Sequence, residues 1–206
     1  MRHTLIALTA FVALGASILA GQQKPKDDTM KMPMPSTMAS TEAKIGNAMK
    51  AAPSDISAKA AIMDWPAKDG MPMKHLRSGT NGWTCMPSTP VSARLPGQED
   101  PMCVDPSFTK LLEAYEMKAD PHVTSVGIGY MLLGDKGVSN TDPFAMMRTA
   151  TNNWIESPAH LMVVVPDARQ LDAYPSDPHA GGPWVMWKGT KYAHLMVPIT
   201  NMPMHE

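Results

Sequence analysis

The sequence predicts an α+β fold, with a mainly antiparallel sheet, one or two packed helices and long ordered loops. Short segments that alternate apolar and polar residues outnumber the segments with helical spacing. The connections between these segments are short, which suits antiparallel neighbours. One segment places Phe108, Leu111, Leu112 and Tyr115 at spacings of three and four, as expected for a helix that packs on one face of a sheet.

The individual elements follow from this patterning. Pro53 ends a first helix that Ser40 or Thr41 can cap. Residues 58–65 fit a helix or a strand, and the turn-forming residues that follow favour a strand. In chain order we predict a helix at 41–52, strands at 58–65 and 71–76, a short strand leading to Cys85, a helix at 108–117 capped by Asp105 or Ser107, strands at 123–133 and 159–165, helical turns at 167–174, and a hairpin of 183–187 with 192–199.

Two stretches have a further meaning. Gly127 and Gly129 lie within the strand at 123–133, where a missing side chain permits close approach or a bulge. Residues 134–157 are rich in Gly, Asn, Asp, Thr and Pro and predict a long ordered loop. Loops of this length often carry function.

The N-terminus has the anatomy of a cleavable signal peptide. Arg2 precedes an almost uncharged apolar run at 5–19 that is too short to span a bilayer, and small residues follow it. We therefore expect export to the periplasm or the medium and no membrane span in the mature protein. The expected organisation is a signal peptide at 1–21, a disordered Met- and Pro-containing tether at 22–40 and a single α+β domain at 41–206.

The charge of the chain argues against a nucleic-acid partner. Its 206 residues include 18 basic and 19 acidic side chains, and no basic stripe occurs. We expect no nucleic acid among its ligands.

Two cysteines, Cys85 and Cys103, are the complete set. In an oxidising compartment such a pair is typically a disulfide, and closing the proline-rich loop between them stabilises the fold by about 3 kcal/mol. A redox pair normally has Cys-X-X-Cys spacing, and a zinc site needs two further ligands. We predict a structural Cys85–Cys103 disulfide.

Several separated segments resemble a known group of proteins. These are GTNGWTC at 79–85, DPMC at 100–103, SNTDPFA at 139–145 and AHLM at 159–162, with the closing stretch at 185–198. Over residues 58–199 the chain resembles a group of uncharacterised bacterial exported proteins. The resemblance implies one exported domain with a paired-cysteine loop, and it carries no assigned activity.

Methionine and histidine patterns raise the possibility of copper as a cofactor. The chain has 20 methionines, and Met-Pro-Met units at 32–34, 71–73 and 202–204 include two that are followed closely by His75 and His205. Thioether sulfur and imidazole suit Cu(I). Methionine is also a common gap-filling core residue, so a purely compositional interpretation of these units is favoured over copper binding.

A sharper pattern is the near-copy Ala-His-Leu-Met-Val, which occurs around His160 and Met162 and again around His194 and Met196. In a strand, residues two apart project from the same face, so neighbouring strands would bring two imidazoles and two thioethers together. The alternative is a pair of similar core strands whose histidines bond to the backbone.

Catalysis is the third hypothesis, and no recognised catalytic motif supports it. Asp142 and His160 are the candidate acid–base residues. Asp142 precedes Pro143, however, which is typical of a turn residue whose carboxylate bonds to the backbone.

A binding or structural role in the cell envelope is the first interpretation. The chain has five tryptophans, and one exposed near residues 134–157 could stack a glycan or a peptide, although tryptophans are commonly core anchors. The expected partner is a small molecule, a glycan or an envelope component. Periplasmic copper binding is the alternative function, and hydrolase-like catalysis is the third.

Overall fold

Ten strands and three α-helices form from the described residues, 39–68, 70–90 and 98–201, of the computed structural model. The helices are α1 (Thr41–Ala48), α2 (Ser54–Ser57) and α3 (Pro106–Glu116). The strands are β1 (Ala61–Asp64), β2 (Lys74–Arg77), β3 (Thr84–Met86), β4 (Met102–Val104), β5 (Gly127–Met131), β6 (Asp135–Ser139), β7 (Trp154–Ser157), β8 (His160–Val164), β9 (Trp184–Met186) and β10 (His194–Pro198). Short 3₁₀ helices occur at Met49–Ala51 and Ala168–Leu171.

Eight of these strands form one sheet in the order β2-β1-β3-β4-β5-β8-β10-β9, and β6 pairs with β7 separately. Neighbours in the large sheet are antiparallel except for β1 and β3, which are parallel. The predicted α+β class with a mainly antiparallel sheet is therefore confirmed.

Helix α3 packs on one side of the sheet, which we call the inner face. The Asp105 carboxylate accepts a hydrogen bond from the Phe108 backbone N–H at 2.8 Å, and proline occupies the first helical position. Phe108 and Leu111 are buried against side chains of the inner face. The sheet contributes Met86, Val104, Met131, Met162, Val164, Trp184, Met186 and Met196 to this cluster.

The opposite, outer face is covered at its two ends. Alanines of α1 and the following 3₁₀ helix pack against Ile62 and the Cys85–Cys103 disulfide, whose cysteines lie directly opposite each other on β3 and β4. At the other end, Leu171 packs against Val185 and Leu195. The predicted disulfide is confirmed, and both cysteines are fully buried.

Most predicted elements of the second half are confirmed. Helix α3 begins two residues before the predicted start because Asp105, of the two candidate caps, caps it. Strands β5 and β8 and the β9–β10 hairpin occupy the predicted stretches. The predicted helical turns at 167–174 are a 3₁₀ helix at Ala168–Leu171.

Three predictions need correction. Residues 134–157 are not a continuous loop, because β6 and β7 pair within them. The strand predicted at 71–76 begins only at Lys74, where pairing with β1 starts. Strand β4 was not predicted, since its three residues are extended through pairing with β3 and β5 rather than through a pattern of their own.

Several predicted features lie outside the described residues. They are the signal peptide at 1–21, the tether up to residue 38, and the Met-Pro-Met units at 32–34 and 202–204. The unit at 71–73 lies in the described turn before β2, and Met71 is exposed there.

Candidate functional site

The paired His-Met strands are neighbours in the sheet. Strands β8 and β10 run antiparallel, with Met196 directly opposite Met162 and Pro198 opposite His160. All four predicted residues therefore share the inner face. His194 is four residues from Pro198 along β10, so the Cα atoms of the two histidines are displaced by about 13 Å along the strand direction.

His194 has the surroundings of a core histidine. Its Nδ1 lies 3.0 Å from the Tyr192 carbonyl oxygen, and its ring makes edge contacts with Trp187 and Phe108, at centroid distances of 5.0 and 5.9 Å. Burial lowers the pKa of His194 to about 4. The ring is therefore neutral at pH 7 and packs as an aromatic side chain.

His160 differs from His194 in one respect that matters for chemistry. Its Nδ1 lies 2.6 Å from the Pro158 carbonyl oxygen, whereas its Nε2 is buried without a hydrogen-bond partner. Burial lowers the pKa of His160 to about 4, against the opposing effect of the Pro158 hydrogen bond. Because a carbonyl only accepts, the Nδ1 carries the hydrogen and the Nε2 keeps a free lone pair.

Two methionines adjoin His160 on the inner face. Met131 of β5 is directly opposite it, and Met162 follows it by two residues on β8. Gly129 pairs with Met162, and a Cβ atom built at Gly129 would lie 2.7 Å from the Met162 methyl carbon. The Met162 side chain therefore extends over Gly129 toward the Met131 strand. We call His160, Met131 and Met162 the His160 cluster.

The cluster offers soft donors only. Among the residues that the structure describes, no group of three or more His, Cys, Asp and Glu side chains is arranged to hold a metal ion. Imidazole nitrogen and thioether sulfur favour Cu(I) over Mg²⁺ or Ca²⁺. The sequence analysis included His160 and Met162 but missed Met131. Met131 follows Gly129 by two residues and Gly127 by four, so in a strand all three lie on the same face.

The predicted catalytic carboxylate holds a turn. One oxygen of Asp142 accepts a hydrogen bond from the Phe144 backbone N–H at 2.9 Å, and the Asp142 N–H donates to the Ser139 hydroxyl. These bonds lie within its own loop, while the Nδ1 contact of His160 lies within the β7–β8 connection. The described contacts of Asp142 are those of a turn residue.

A second candidate site lies where the loop between β6 and β7 meets the C-terminal end of α3. The ring of Tyr115 is stacked between those of Phe144 and Trp187, with centroid distances of 5.2 and 5.5 Å and nearly parallel planes. The Tyr115 hydroxyl donates to the Pro143 carbonyl at 2.8 Å, which ties the loop to the helix. We call these three rings the aromatic stack.

Trp187 is held in an unusual backbone conformation at the base of the stack. Its φ of 55° lies in the left-handed region, which is unfavourable for a bulky side chain. Its backbone N–H donates to the Asn140 carbonyl, and its indole N–H donates to the Ser139 carbonyl at 2.8 Å. These bonds fix the ring against Tyr115 and offset the local strain.

Large apolar side chains are exposed within three residues of Tyr115 or Phe144 along the chain. Met117, Met146 and Met147 are 62, 73 and 69% exposed, and Phe144 is 39% exposed. The Lys118 ammonium lies 5.4 Å from the centre of the Phe144 ring. We call Met117, Phe144, Met146 and Met147 the aromatic–methionine patch. The sequence analysis predicted a functional loop at 134–157. It expected a nearby exposed tryptophan, rather than Phe144 and the neighbouring methionines, to contact a ligand.

A separate groove of about 540 Å³ lies between the loop before β9 and the end of β10. Gly181, Gly182, Pro183, Val197 and Ile199 are among its lining residues. Among the described residues that line it, His179 is the one titratable side chain.

One partly exposed carboxyl group, at the start of β6, also has a shifted pKa. Burial raises the pKa of Asp135, the first residue of β6, to about 7, and the negative charge of Asp100 adds to the increase. Backbone hydrogen bonds from Gly137 and Lys136 act in the opposite direction. Asp135 is therefore divided between its neutral and charged forms near neutral pH.

Within the described residues, no helix has the length and apolar character that crossing a membrane requires. Searches against protein families, curated proteins and solved structures gave no match to this chain.

Proposed function

We propose that this chain is an exported, non-catalytic binding module of the cell envelope that holds an extended apolar segment of a protein partner on the aromatic–methionine patch. The observation that carries the proposal is the exposure of Met117, Met146 and Met147 next to a fixed aromatic stack. Exposed apolar side chains that occur together mark interaction surfaces.

The side chains of the patch favour an apolar peptide over a sugar. Methionine is unbranched and adapts to partners of varied shape. A stacked sugar needs a free ring face, but Phe144 already stacks on Tyr115 and has the Lys118 ammonium over its ring. A peptide can instead cover the methionines and leave the stack in place.

The rigid base of the patch suits a binding role. The stack is fixed by hydrogen bonds from Tyr115 to Pro143 and from Trp187 to Ser139, so the Phe144 ring loses little freedom when a partner binds. Trp187, the residue with the strained φ, belongs to this stack. Backbone strain of this kind is typical of functional sites.

Export and the lack of catalysis rest on separate support. The predicted signal peptide and the buried Cys85–Cys103 disulfide agree with an oxidising compartment. The hydrogen bonds of Asp142 hold a turn, which argues against the carboxylate that the hydrolase hypothesis named.

The test is selection of ligands from two immobilised libraries, one of random peptides and one of envelope glycans. We expect the wild-type protein to retain peptides that share apolar residues. The double variant Met146→Ser, Met147→Ser should bind the selected peptides at least about tenfold more weakly, because each methionine contributes about 1 kcal/mol or more when a ligand covers it.

Met71→Ser is the matched control, since Met71 is also an exposed methionine but lies in the turn before β2. It should bind the selected peptides as the wild type does. Retention of glycans alone, or equal loss of peptide binding in both variants, would overturn the proposal.

A further inference from the structure

We propose that the His160 cluster is a buried binding site for a soft monovalent cation, Cu(I), with His160 Nε2 and the sulfur atoms of Met131 and Met162 as ligands. The site is distinct from the aromatic–methionine patch and does not depend on the function proposed for that surface.

The starting observation is the unpartnered Nε2 of His160. The residue is fully buried, and Nε2 has no hydrogen-bond partner. An unsatisfied buried polar atom costs about 1–3 kcal/mol, so its presence in a core calls for an explanation. An apolar side chain of similar size would fill this space without the cost.

The other ring nitrogen prepares Nε2 for a metal. Nδ1 donates to the Pro158 carbonyl at 2.6 Å, which fixes the ring and the tautomer. Metal-binding imidazoles typically have this arrangement, with one nitrogen bonded to a carbonyl or carboxylate and the other at the metal. Because Nδ1 carries the hydrogen that it donates to this carbonyl, Nε2 of the neutral ring keeps a free lone pair for a ligand.

The two thioethers come from residues next to His160 in the sheet. Cross-strand partners have Cβ atoms about 5 Å apart, which places the Met131 side chain beside His160. Met162 extends over Gly129, two residues from Met131 on the same strand. The absence of a side chain at Gly129 provides the space that the thioether of Met162 uses.

The ligand set also selects the charge of the ion. One imidazole and two thioethers are all neutral, so a bound ion keeps its full charge in an apolar core. The cost of burying an ion rises with the square of its charge, which favours a monovalent ion. Cu(I) meets this condition and prefers thioether ligands.

The proposed set differs from the one that the strand pattern suggested. It keeps His160 and Met162 and takes Met131 in place of His194, whose ring packs against Phe108 and Trp187. Met196 lies opposite Met162 rather than His160. The two sets therefore predict different effects for the same variants.

The test measures thermal unfolding of the full chain with ascorbate-maintained Cu(I), under anaerobic conditions. A site in the core stabilises the folded state only, so wild type should gain thermal stability. The variants below leave the Met-Pro-Met units at 32–34 and 202–204 intact, so they separate the cluster from any binding at those units. Anaerobic competition with a chromogenic Cu(I) chelator gives the affinity and the number of ions bound.

The variants are Met131→Leu and Met162→Leu, which remove a sulfur atom at nearly constant volume. Each should lose the Cu(I)-dependent stabilisation and the tightest Cu(I) equivalent, as should His160→Phe. Met86→Leu is the control, because Met86 is a buried methionine of the inner face two strands from β5. Met196→Leu should also retain the effect.

The proposal is overturned if wild type shows no Cu(I)-dependent stabilisation. It is also overturned if Met131→Leu and Met162→Leu retain the stabilisation, or if Met196→Leu and His194→Phe abolish it while Met131→Leu does not.

Discussion

Two buried histidines and one partly exposed aspartate act on stability in opposite directions as pH changes. The pKa values of His160 and His194 are lowered to about 4, so below about pH 6.5 the unfolded chain binds two protons that the folded protein does not. The pKa of Asp135 is raised to about 7, so above about pH 4 the folded protein holds one proton that the unfolded chain has lost.

We therefore predict that Asp135→Asn steepens the loss of stability in acid. Near pH 5.5, these three groups together contribute a slope of about 1 kcal/mol per pH unit in wild type, stability falling as pH falls. Removing the Asp135 contribution raises this slope to about 2.4 kcal/mol per pH unit. Urea unfolding at a series of pH values measures both slopes.

Asp55→Asn, at an exposed aspartate in the first turn of α2, should keep the wild-type slope. Equal slopes in wild type and Asp135→Asn would show that burial does not perturb this carboxyl group.

At the residue scale, the sequence predicts a pair of contacting side chains when residue type alone is sufficient. It misses a contact that depends on how two strands align in the sheet. Two cysteines in a chain with a predicted signal peptide are sufficient to predict the disulfide. The partner of His160 was missed because Met131 is 29 positions earlier in the chain and becomes its neighbour only through the β5–β8 pairing. Asp135 was missed for a similar reason, since its burial comes from tertiary packing.

At the scale of elements, Asp105 joins α3 to the sheet. One oxygen of its carboxylate accepts from the Phe108 N–H at 2.8 Å and the other from the Ile128 N–H at 2.9 Å. We predict that Asp105→Ala lowers the free energy of unfolding by about 2 kcal/mol, because it removes a helix cap and a hydrogen bond to β5. Chemical denaturation followed by circular dichroism measures the loss.

Asp105→Asn separates the two contributions. Asparagine keeps one acceptor oxygen for the helix cap and loses the acceptor for Ile128, so about half of the destabilisation should remain. If Asp105→Asn is as destabilising as Asp105→Ala, the cap contributes nothing and the interpretation of this contact is wrong.

Element prediction succeeded where a segment carries its own signal. The four apolar residues of α3 and the alternating burial of β8 reflect packing on the inner face. The strands β6 and β7 were missed because a register shift between Asp135 and Val138 interrupts their pairing. Gly137, with φ of 129°, lies within that shift and makes the segment look like a turn.

At the scale of the whole molecule, the disulfide lies inside the sheet rather than at its edge. Strands β3 and β4 are the third and fourth of the eight strands, with α1 and α2 packing on one side of the cysteines in the outer cluster. Both cysteines are fully buried, so a reductant reaches the bond only when this part of the protein opens. The bond therefore protects a central pairing on which both halves of the sheet depend.

We predict that the double variant Cys85→Ala, Cys103→Ala remains folded at room temperature but is less stable by about 3 kcal/mol, since the crosslink closes a loop between residues 18 apart. Urea unfolding of wild type with dithiothreitol in the unfolding buffer should reach the same midpoint as the variant, whereas dithiothreitol should leave the variant unchanged. Native wild type without urea should keep its disulfide over the same period. Rapid reduction of the native protein would contradict the burial of the bond, and an unchanged midpoint on reduction would show that β3 and β4 are held together by their other contacts alone.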